Sequence, residues 1–483
     1  MAKKDNSFVL ELKNFEVGFS PVAHLDSLTE RGNSGSASVM TDTDILDGLL
    51  TQGPGLAALT NGIQAGAVTE LINFILDIPP SSDLTYAIGP TKLFSLSSTT
   101  VTDDGTFPHT ITNATDGESV ASLGGSQYYF YNKTSGGDIG KYTSPSTFDD
   151  DWGSTVPTGA AALQKALHPV AVKEDIMAFG NGRYLGIYTN DNTTLAPTKL
   201  DFGVGHEVAD VVFNNNFWFI AVNGGTTGSN RNIGQLFLYD GSATDSILAD
   251  ETGVGFQKIG FLYVVDGVVY VVYQDLSDTG GFHIGYVNGR KITQLVSFTG
   301  SLPNFAQKTL YRHTILFASS SSLWSFGSVS PDFPFQISQI ADGGYSTLGA
   351  VAAPFGTPMV ASTQSTSYQL AKFSGYNITA VWKSVVIPVV FGRMRGYIDE
   401  VSVLTQALGS GAAATLTIEA NQAADTSATK TISGTGNTRF NFSGFGLSGS
   451  IEDLRVHIYF SNGSATNPCK VRNVQLRGHY VES

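Results

Sequence analysis

The stretch Leu262-Tyr-Val-Val-Asp-Gly-Val-Val-Tyr-Val-Val-Tyr273 decides the fold of this chain. It predicts a strand, a two-residue Asp-Gly turn and a second strand, because both turn residues tolerate the positive φ of a tight hairpin. The same pattern, with other turn residues, recurs near residues 89, 124, 181, 215, 312 and 355, so the average spacing is about 44 residues. Four-stranded propeller blades repeat at ~40–50 residues. We therefore predict an all-β chain with an irregular β-propeller of six or seven blades.

A chain of 483 residues is too long for one ordinary core, and three regions are predicted. They are an extended N-terminal arm over residues 1–67, the propeller over 68–384 and an antiparallel β-sandwich over 385–483. The arm cannot bury enough of itself to fold alone, so it is expected to lie on the propeller or reach a neighbour. Cleaner alternation of apolar and polar residues after 385 indicates about seven sandwich strands.

Two short segments of the first eighty residues need a secondary-structure interpretation. Asp42–Leu50 is a helix candidate, because Thr41 or Asp42 can cap its N-terminus. Val68–Leu76 fits both a helix and a strand, and we favour a strand because the runs that follow would complete a blade.

Composition limits the classes of partner. Charged residues make up 14% of the chain, against ~25% in typical globular proteins. Much of the surface is therefore expected to be buried against partners, although Ser-, Thr-, Asn- and Gly-rich surfaces are also common in secreted and viral β proteins. The net charge of −14 argues against a general DNA-binding patch, and an acidic wall would repel nucleic acid. No apolar run reaches the length of a membrane span, and no secretory signal peptide is expected.

Metal and redox chemistry find little support in the sequence. Cys469 is the single cysteine and is expected to be a small apolar residue on a strand. The eight histidines show no metal-ligand spacing. The acidic cluster Asp149-Asp-Asp-Trp152 could bind Ca²⁺ through oxygen ligands, but it lacks the regular Asp-x-Asp-x-Asp spacing, so a solvated loop is favoured.

Enzyme signatures are also weak. The Asp-x-Gly sequences near residues 103 and 278 lack the Ser or Thr of a sialidase Asp-box. The available arginines do not occupy equivalent blade positions: Arg183, Arg231, Arg290 and Arg312. The aromatic runs 128–131 and 217–219 could form a carbohydrate platform, but half of each is expected to pack between blades. No catalytic, cofactor-binding or metal-ligating residue is predicted, and the chain is not expected to be an enzyme.

Three features occur in a recognisable order along the chain. An N-terminal segment carries the turns Gly53-Pro-Gly-Leu56 and Leu59-Thr-Asn-Gly62, a propeller follows, and the sandwich ends in Val471-Arg-Asn-Val-Gln-Leu-Arg-Gly-His-Tyr480. In this order the chain resembles structural virion proteins of tailed bacteriophages, in particular the propeller-bearing tail nozzle, or tubular tail, proteins of short-tailed phages. The resemblance is architectural and covers most of the chain.

The resemblance implies a homo-oligomeric ring, with a hexamer expected, in the tail nozzle or neck of a virion that is assembled in the host cytoplasm. Such a ring would extend the DNA ejection channel, contact neighbouring tail or neck proteins, and let DNA pass without sequence-specific binding. Two alternatives stay open. One is a host-surface glycan-binding tail protein or fibre adaptor that uses loops such as Gly224–Asn232, and the other is an enzyme acting on glycans.

Overall fold

Seven four-stranded sheets and two six-stranded sheets make up the computed structural model of the chain. The structure describes residues 7–482 apart from residues 14, 16–36, 47, 78–83, 107–113, 135, 145–146, 150–151, 153–162, 191–193, 225–232, 243–246, 249–255, 276–279, 290, 313, 328–335, 343–345, 365, 390–393, 422–428, 445–450 and 462–465. In the part of the chain so described, no helix is long and apolar enough to span a membrane.

Five strands precede the first blade: β1 (Ser7–Leu12), β2 (Ala37–Thr41), β3 (Thr43–Leu46), β4 (Leu49–Gln52) and β5 (Pro54–Ile63). Blade 1 contains β6 (Phe74–Ile75), β7 (Thr85–Ile88), β8 (Lys92–Leu96) and β9 (Val101–Thr106). Blade 2 contains β10 (Ala114–Leu123), β11 (Ser126–Lys133), β12 (Gly136–Ser144) and β13 (Thr147–Asp149). Blade 3 contains β14 (Val170–Lys173), β15 (Ile176–Asn181), β16 (Tyr184–Thr189) and β17 (Thr194–Asp201). Blade 4 contains β18 (His206–Asn214), β19 (Phe217–Gly224), β20 (Gly234–Tyr239) and β21 (Ile247–Leu248). Blade 5 contains β22 (Phe256–Val265), β23 (Val268–Asp275), β24 (Gly281–Asn288) and β25 (Lys291–Thr299).

Blade 6 contains β26 (Lys308–Tyr311), β27 (Thr314–Ser319), β28 (Ser322–Gly327) and β29 (Gln336–Asp342), and blade 7 contains β30 (Thr347–Ala352), β31 (Met359–Gln364), β32 (Ser367–Tyr376) and β5. The remaining strands are β33 (Thr379–Ser384), β34 (Ile387–Pro388), β35 (Met394–Thr405), β36 (Ala413–Ala420), β37 (Lys430–Ser433), β38 (Arg439–Ser443), β39 (Asp453–Ser461) and β40 (Val471–Glu482). Sheet A of the sandwich has the order β3-β4-β40-β35-β38 with β1 also on β40, and sheet B has the order β2-β33-β39-β36-β37 with β34 also on β39.

The predicted hairpins are present, and turn chemistry explains the one at residue 266. Val265 pairs with Val268 across the turn. Asp266 and Gly267 adopt φ values of 49° and 77°, the left-handed conformation that such a two-residue turn needs. The predicted propeller is confirmed, and the described residues form seven blades.

The propeller closes through a strand from the N-terminal segment. Strand β5 pairs antiparallel with β32, with Ala58 opposite Ala371. Buried residues of blades 7 and 1, including Leu59, Phe94 and Met359, then pack into one cluster. A propeller whose last blade combines strands from both ends of the domain cannot open without breaking that pairing.

The predicted extended arm over residues 1–67 differs from the structure. Strand β1 pairs with β40 in sheet A, β2 pairs with β33 in sheet B, and β5 belongs to the propeller. The described residues of this segment therefore belong to both domains. The arm is too poor in apolar residues to fold alone, and it gains its core by adding Leu12, Phe15 and Leu50 to that of the sandwich.

The helix predicted at Asp42–Leu50 is wrong. The structure has the hairpin β3–β4 there, with Ile45 opposite Leu50. Asp42 and Gly48 adopt positive φ values of 51° and 74°, which an α-helix cannot accommodate. Asp42 precedes β3, and Gly48 forms the turn between the two strands.

Three further predictions need adjustment. Only Phe74–Ile75 of the predicted strand Val68–Leu76 is a strand, although Val68 and Ile72 are buried between blades 1 and 7. The sandwich begins before residue 385, because β33 pairs with β39 and its Trp382 is fully buried in the sandwich core. The sandwich also contains twelve described strands rather than about seven, because the N-terminal segment contributes four.

An ion pair between an exposed arginine and a buried aspartate joins the two domains. Arg312 of the β26–β27 turn lies 3.0 Å from Asp44 of β3, whose side chain is only 5% exposed. Arg312 also donates a hydrogen bond to the carbonyl of Ile45. Burial raises the pKa of Asp44, and the charge of Arg312 opposes that shift. This joint fixes the sandwich hairpin against blade 6.

Candidate functional site on the propeller axis

A cavity of about 580 Å³ opens among blades 3 to 6, at the end of the propeller where the chain enters the innermost strands. We call it the funnel. Its walls come from residues 164–167, 182–183, 205–207, 209 and 302–304. The residues around Asn223 and Ile259 complete the lining. Its volume lies within the range of small-molecule sites, roughly 300–1,000 Å³.

The segment 164–167 is held by hydrogen bonds from three blades. The N–H of Gln164 donates to Asn181 at 2.6 Å, that of Ala166 donates to Asn132 at 3.2 Å, and that of Leu167 donates to Glu207 at 3.1 Å. Its backbone is thus fixed before any ligand arrives. Lys165 lies within this segment and lines the funnel.

The opposite wall is fixed in a similar way. Asn223 at the end of β19 accepts the N–H of Ile259 at 2.7 Å and donates to the Ile259 carbonyl at 2.9 Å. This double contact joins blades 4 and 5 at the funnel and positions Lys258, the neighbour of Ile259. Both Lys165 and Lys258 are exposed.

The funnel carries an excess of positive charge. Its lining includes Lys165, Arg183 and Lys258, and Glu207 is the one carboxylate among the described lining residues. Arg183 is paired with Asp201 at 3.1 Å. Neither lysine has an ion-pair partner within the described part of the chain.

Next to the funnel along the innermost strands lies a buried polar cluster, which we call the plug and define as Asp77, Asp210, Lys308 and Thr309. Lys308 on β26 forms a short ion pair with Asp210 on β18 and donates to the carbonyl of Leu262 at 2.6 Å. Asp210 also accepts the N–H of Leu262 at 2.7 Å. These bonds join the innermost strands of blades 4, 5 and 6.

Asp77 extends the plug to blades 1 and 7. It accepts the hydroxyl of Thr309 at 2.9 Å and the N–H of Ala353 at 2.5 Å. Burial raises the pKa values of Asp77 and Asp210 and lowers the pKa of Lys308, while the attraction between these groups opposes each shift. The charged groups of the plug are therefore bonded within the protein, and the plug has a structural role.

A smaller cavity of about 200 Å³ adjoins the funnel and shares Leu167 and Asn304 with it. Glu118 of β10 lines this cavity and accepts a hydrogen bond from Asn132 at 2.9 Å. Burial, helped by repulsion from Asp116, raises the pKa of Glu118 to about 7. This carboxyl group therefore loses its proton only near neutral pH.

The residues that the sequence singled out do not gather at one site. Arg183 and His206 line the funnel, whereas Arg312 lies at the joint between the domains. Cys469 is buried two residues before β40, not on a strand, and burial raises its thiol pKa to about 12. Three histidines serve as packing or hydrogen-bonding groups: His168 stacks on Phe130, His283 contacts Ser297, and His479 contacts Asp399.

The structure bears on two surface motifs of the sequence. Tyr128, Tyr129, Phe130 and Tyr131 are all fully buried, so this run does not form a carbohydrate platform. Trp152 of the acidic cluster packs on Tyr128 at 4.7 Å, and Asp149 is exposed. Several predicted positions lie outside the described residues: Asp150, Asp151, Arg231, Arg290, His24, His109, His313 and the loop 225–232. No group of three potential metal ligands occurs among the residues that are described.

Sequence comparisons assign no family to the chain. No protein-family model and no curated protein matches it. Among solved structures it is similar to the extracellular domain of a hybrid two-component system from B. thetaiotaomicron, with 13% identity and a TM-score of 0.46. That match covers 74% of this chain and 44% of the other, so the chain spans less than half of the length of that structure.

Two other solved structures match at lower TM-scores. The Pan2 WD40 domain of Neurospora crassa has a TM-score of 0.43 at 7% identity, over 69% of this chain and 98% of the other. A glycoside hydrolase family 43 arabinoxylan arabinofuranohydrolase from Bacillus subtilis has a TM-score of 0.26 at 11% identity, over 91% and 95%. Structural similarity this weak does not indicate a shared function. The propeller is instead established by the strand pairing of the chain itself.

Proposed function

We propose that the chain is a non-enzymatic structural protein of a tailed-phage virion, which forms a homo-oligomeric ring in the tail nozzle or neck and extends the DNA ejection channel. The observation that carries this proposal is the path of the N-terminal segment. Strands β1 to β4 lie in the sandwich and β5 closes the propeller, so one segment holds both domains. A subunit connected in this way can transmit force without bending between its propeller and its sandwich.

The closed propeller axis supports a channel between copies of the chain. The plug occupies the axis with an ion pair in which the lysine side chain is 12% and the aspartate side chain 3% exposed. Duplex DNA cannot pass through such a core. The channel of the proposed ring therefore lies between subunits, where a net charge of −14 per chain would keep phosphates from adhering.

The outward face of sheet B is a suitable contact for a second copy. Thr41, Val381, Tyr459, Thr415 and Thr431 lie side by side in one row across five strands. Tyr459 is 44% exposed and the row itself is uncharged, while Lys383 and His457 lie in the next row of the same face. Five strands of this length present roughly 600 Å², close to the ~800 Å² that each partner contributes to a standard interface. A ring needs two different patches per subunit, and this face would supply one.

Sedimentation velocity of matched variants tests the contact. Val381→Lys with Tyr459→Lys places two charges in the row, whereas Lys291→Glu on the outer strand of blade 5 is the control. We expect the native chain and the control to sediment as the same ring, near six subunits, and the double variant to sediment as smaller species. An unchanged ring in the double variant would rule out this face. A native chain that is monomeric at every concentration would contradict self-assembly.

Immunogold labelling tests the location. Antibodies against the purified chain should mark the tail or neck of intact virions of the phage that encodes it. If purified virions carry no such chain, the virion role is wrong.

A second candidate function, recognition of host-surface glycans, is favoured by one observation. The funnel is an open cavity whose walls are fixed by hydrogen bonds and whose lysines have no ion-pair partner among the described residues. Loss of surface-glycan binding on filling the funnel would support this candidate.

A further inference from the structure

We propose that the funnel binds an anionic saccharide unit, one that carries a carboxylate or phosphate group, through Lys165 and Lys258. This inference deepens the glycan-binding candidate. It does not depend on the ring, because it concerns a cavity within a single chain.

Charge is the first argument. The chain has 41 acidic and 27 basic residues, yet the funnel has three cationic side chains against one carboxylate. Asp201 neutralises Arg183, while nothing in the described structure neutralises the two lysines. An uncompensated pair of cations in a concave, partly enclosed site raises the local concentration of anions. An anionic group of the ligand would serve as the ion-pair partner of Lys165 and Lys258.

Rigidity is the second argument. Lys165 extends from a segment that hydrogen-bonds to Asn132, Asn181 and Glu207, and Lys258 extends from the paired contact of Asn223 with Ile259. The backbones that carry both ammonium groups are thus already ordered. Less conformational entropy is lost on binding to such a site. A surface lysine without a role would not require this support.

The lining also limits the class of ligand. No Phe, Tyr or Trp lines the funnel in the described structure, so base stacking of the kind that single-stranded nucleic acids use is absent there. Leu167, Ile259 and Leu302 offer aliphatic surface for the C–H groups of a sugar ring. A saccharide unit with a negative group meets both conditions.

Isothermal titration calorimetry at low salt provides the test, with digalacturonate as the anionic probe, maltose as its neutral counterpart and a short oligothymidylate as the nucleic-acid probe. We expect digalacturonate to bind, maltose not to bind measurably, and added salt to weaken the binding. In the double variant Lys165→Glu with Lys258→Glu, affinity should fall at least about tenfold. Lys291→Glu, the control outside the funnel, should bind within about twofold of the native chain.

Several outcomes would overturn the proposal. They are no binding of digalacturonate, equal binding of maltose, tighter binding of the oligonucleotide, or native affinity in the double variant. Circular dichroism checks that each variant is folded, and the milder Lys165→Met and Lys258→Met variants replace the double variant if it is not. Because calorimetry works on any assembly state, absence of a ring and absence of saccharide binding are separate results.

Discussion

The funnel and the plug lie at successive depths of one propeller axis, and they use charged side chains in opposite ways. In the plug, Lys308 is surrounded by Asp210 and the carbonyl of Leu262, and both charged side chains are nearly inaccessible. In the funnel, Lys165 and Lys258 are exposed and have no ion-pair partner among described residues. The same set of innermost strands thus closes one level of the axis and leaves the other open for a ligand.

This difference indicates where substitutions should affect stability and where they should affect binding. A buried ion pair that loses one partner leaves an uncompensated charge in a poorly solvated place. An exposed cation can be replaced with little consequence for folding. The predictions below follow this order, from the largest expected change in the free energy of unfolding to the smallest.

Asp210→Ala should be the most damaging change. It leaves the Lys308 ammonium group and the N–H of Leu262 buried without their carboxylate, and we expect a loss of about 3–5 kcal/mol in the free energy of unfolding, measured by urea denaturation. The paired replacement Asp210→Leu with Lys308→Met removes both charges and should cost less than the single change. If Asp210→Ala costs under about 1 kcal/mol, the plug does not stabilise the axis.

Arg312→Ala should be the next most damaging. Asp44 would keep its buried carboxylate and lose its cation, so we expect a loss of about 1–3 kcal/mol. Arg183→Ala is a matched control, because Arg183 is similarly exposed (28% against 33%) but its partner Asp201 is 47% exposed, whereas Asp44 is 5% exposed. The control should cost at most about 1 kcal/mol. If both variants lose the same free energy of unfolding, the ion pair between Arg312 and Asp44 stabilises the protein no more than an exposed ion pair does.

Glu118→Gln should stabilise the protein, but only at higher pH. The pKa of Glu118 is raised from 4.5 to about 7, so the folded state binds its proton more tightly than the unfolded state does. Native stability therefore falls as pH rises from 4.5 to about 7, and it then levels off. The glutamine side chain cannot ionise, so the variant does not lose stability in this way, and its amide oxygen can still accept the hydrogen bond from Asn132. We therefore expect its free energy of unfolding to exceed that of the native chain by on the order of 2 kcal/mol at pH 8 and by almost nothing at pH 4.5.

Thermal unfolding of both proteins at a series of pH values checks this sign. Asp116→Asn removes only the repulsion that contributes to the raised pKa, so it should recover a smaller share of the gain over the same pH range. A gain for Glu118→Gln that is constant from pH 4.5 to 8 would show that proton binding at Glu118 is not its cause.

Lys165→Met and Lys258→Met should have the smallest effect on stability, within about 0.5 kcal/mol of the native chain. Each should nevertheless weaken digalacturonate binding. Urea denaturation and calorimetry on the same samples measure the two properties together. A large loss of stability would show that these lysines belong to the scaffold, as Lys308 does, and the contrast between funnel and plug would disappear.

Local chemistry made the blades predictable from the sequence. Most of the predicted hairpins have a turn of Gly, Asn or Asp between β-branched and aromatic runs, as at Asp266 and Gly267, and these signals lie within a few residues. Strand β5 had no such signal, because its partner β32 lies about 300 residues further along the chain. The helix predicted at 42–50 failed for a related reason: a favourable capping residue could not reveal that Asp42 and Gly48 adopt positive φ.

The candidate site was less accessible to sequence reasoning than the fold. An aspartate within Val208-Ala-Asp-Val-Val212 is a usable signal, because an acidic residue in an apolar strand implies a buried partner. Its partner Lys308 is 98 positions away and has no motif around it. Lys165 and Arg183 come from two separate connections and Lys258 from the start of β22, and only the closure of seven blades brings them to one cavity.

Electron cryomicroscopy of the purified assembly tests the central claim most directly. We predict rings with an opening between subunits, in which every propeller is closed on its own axis at Lys308 and Asp210. Monomers at all concentrations, or rings in which the propeller axis itself forms the continuous channel, would contradict the account.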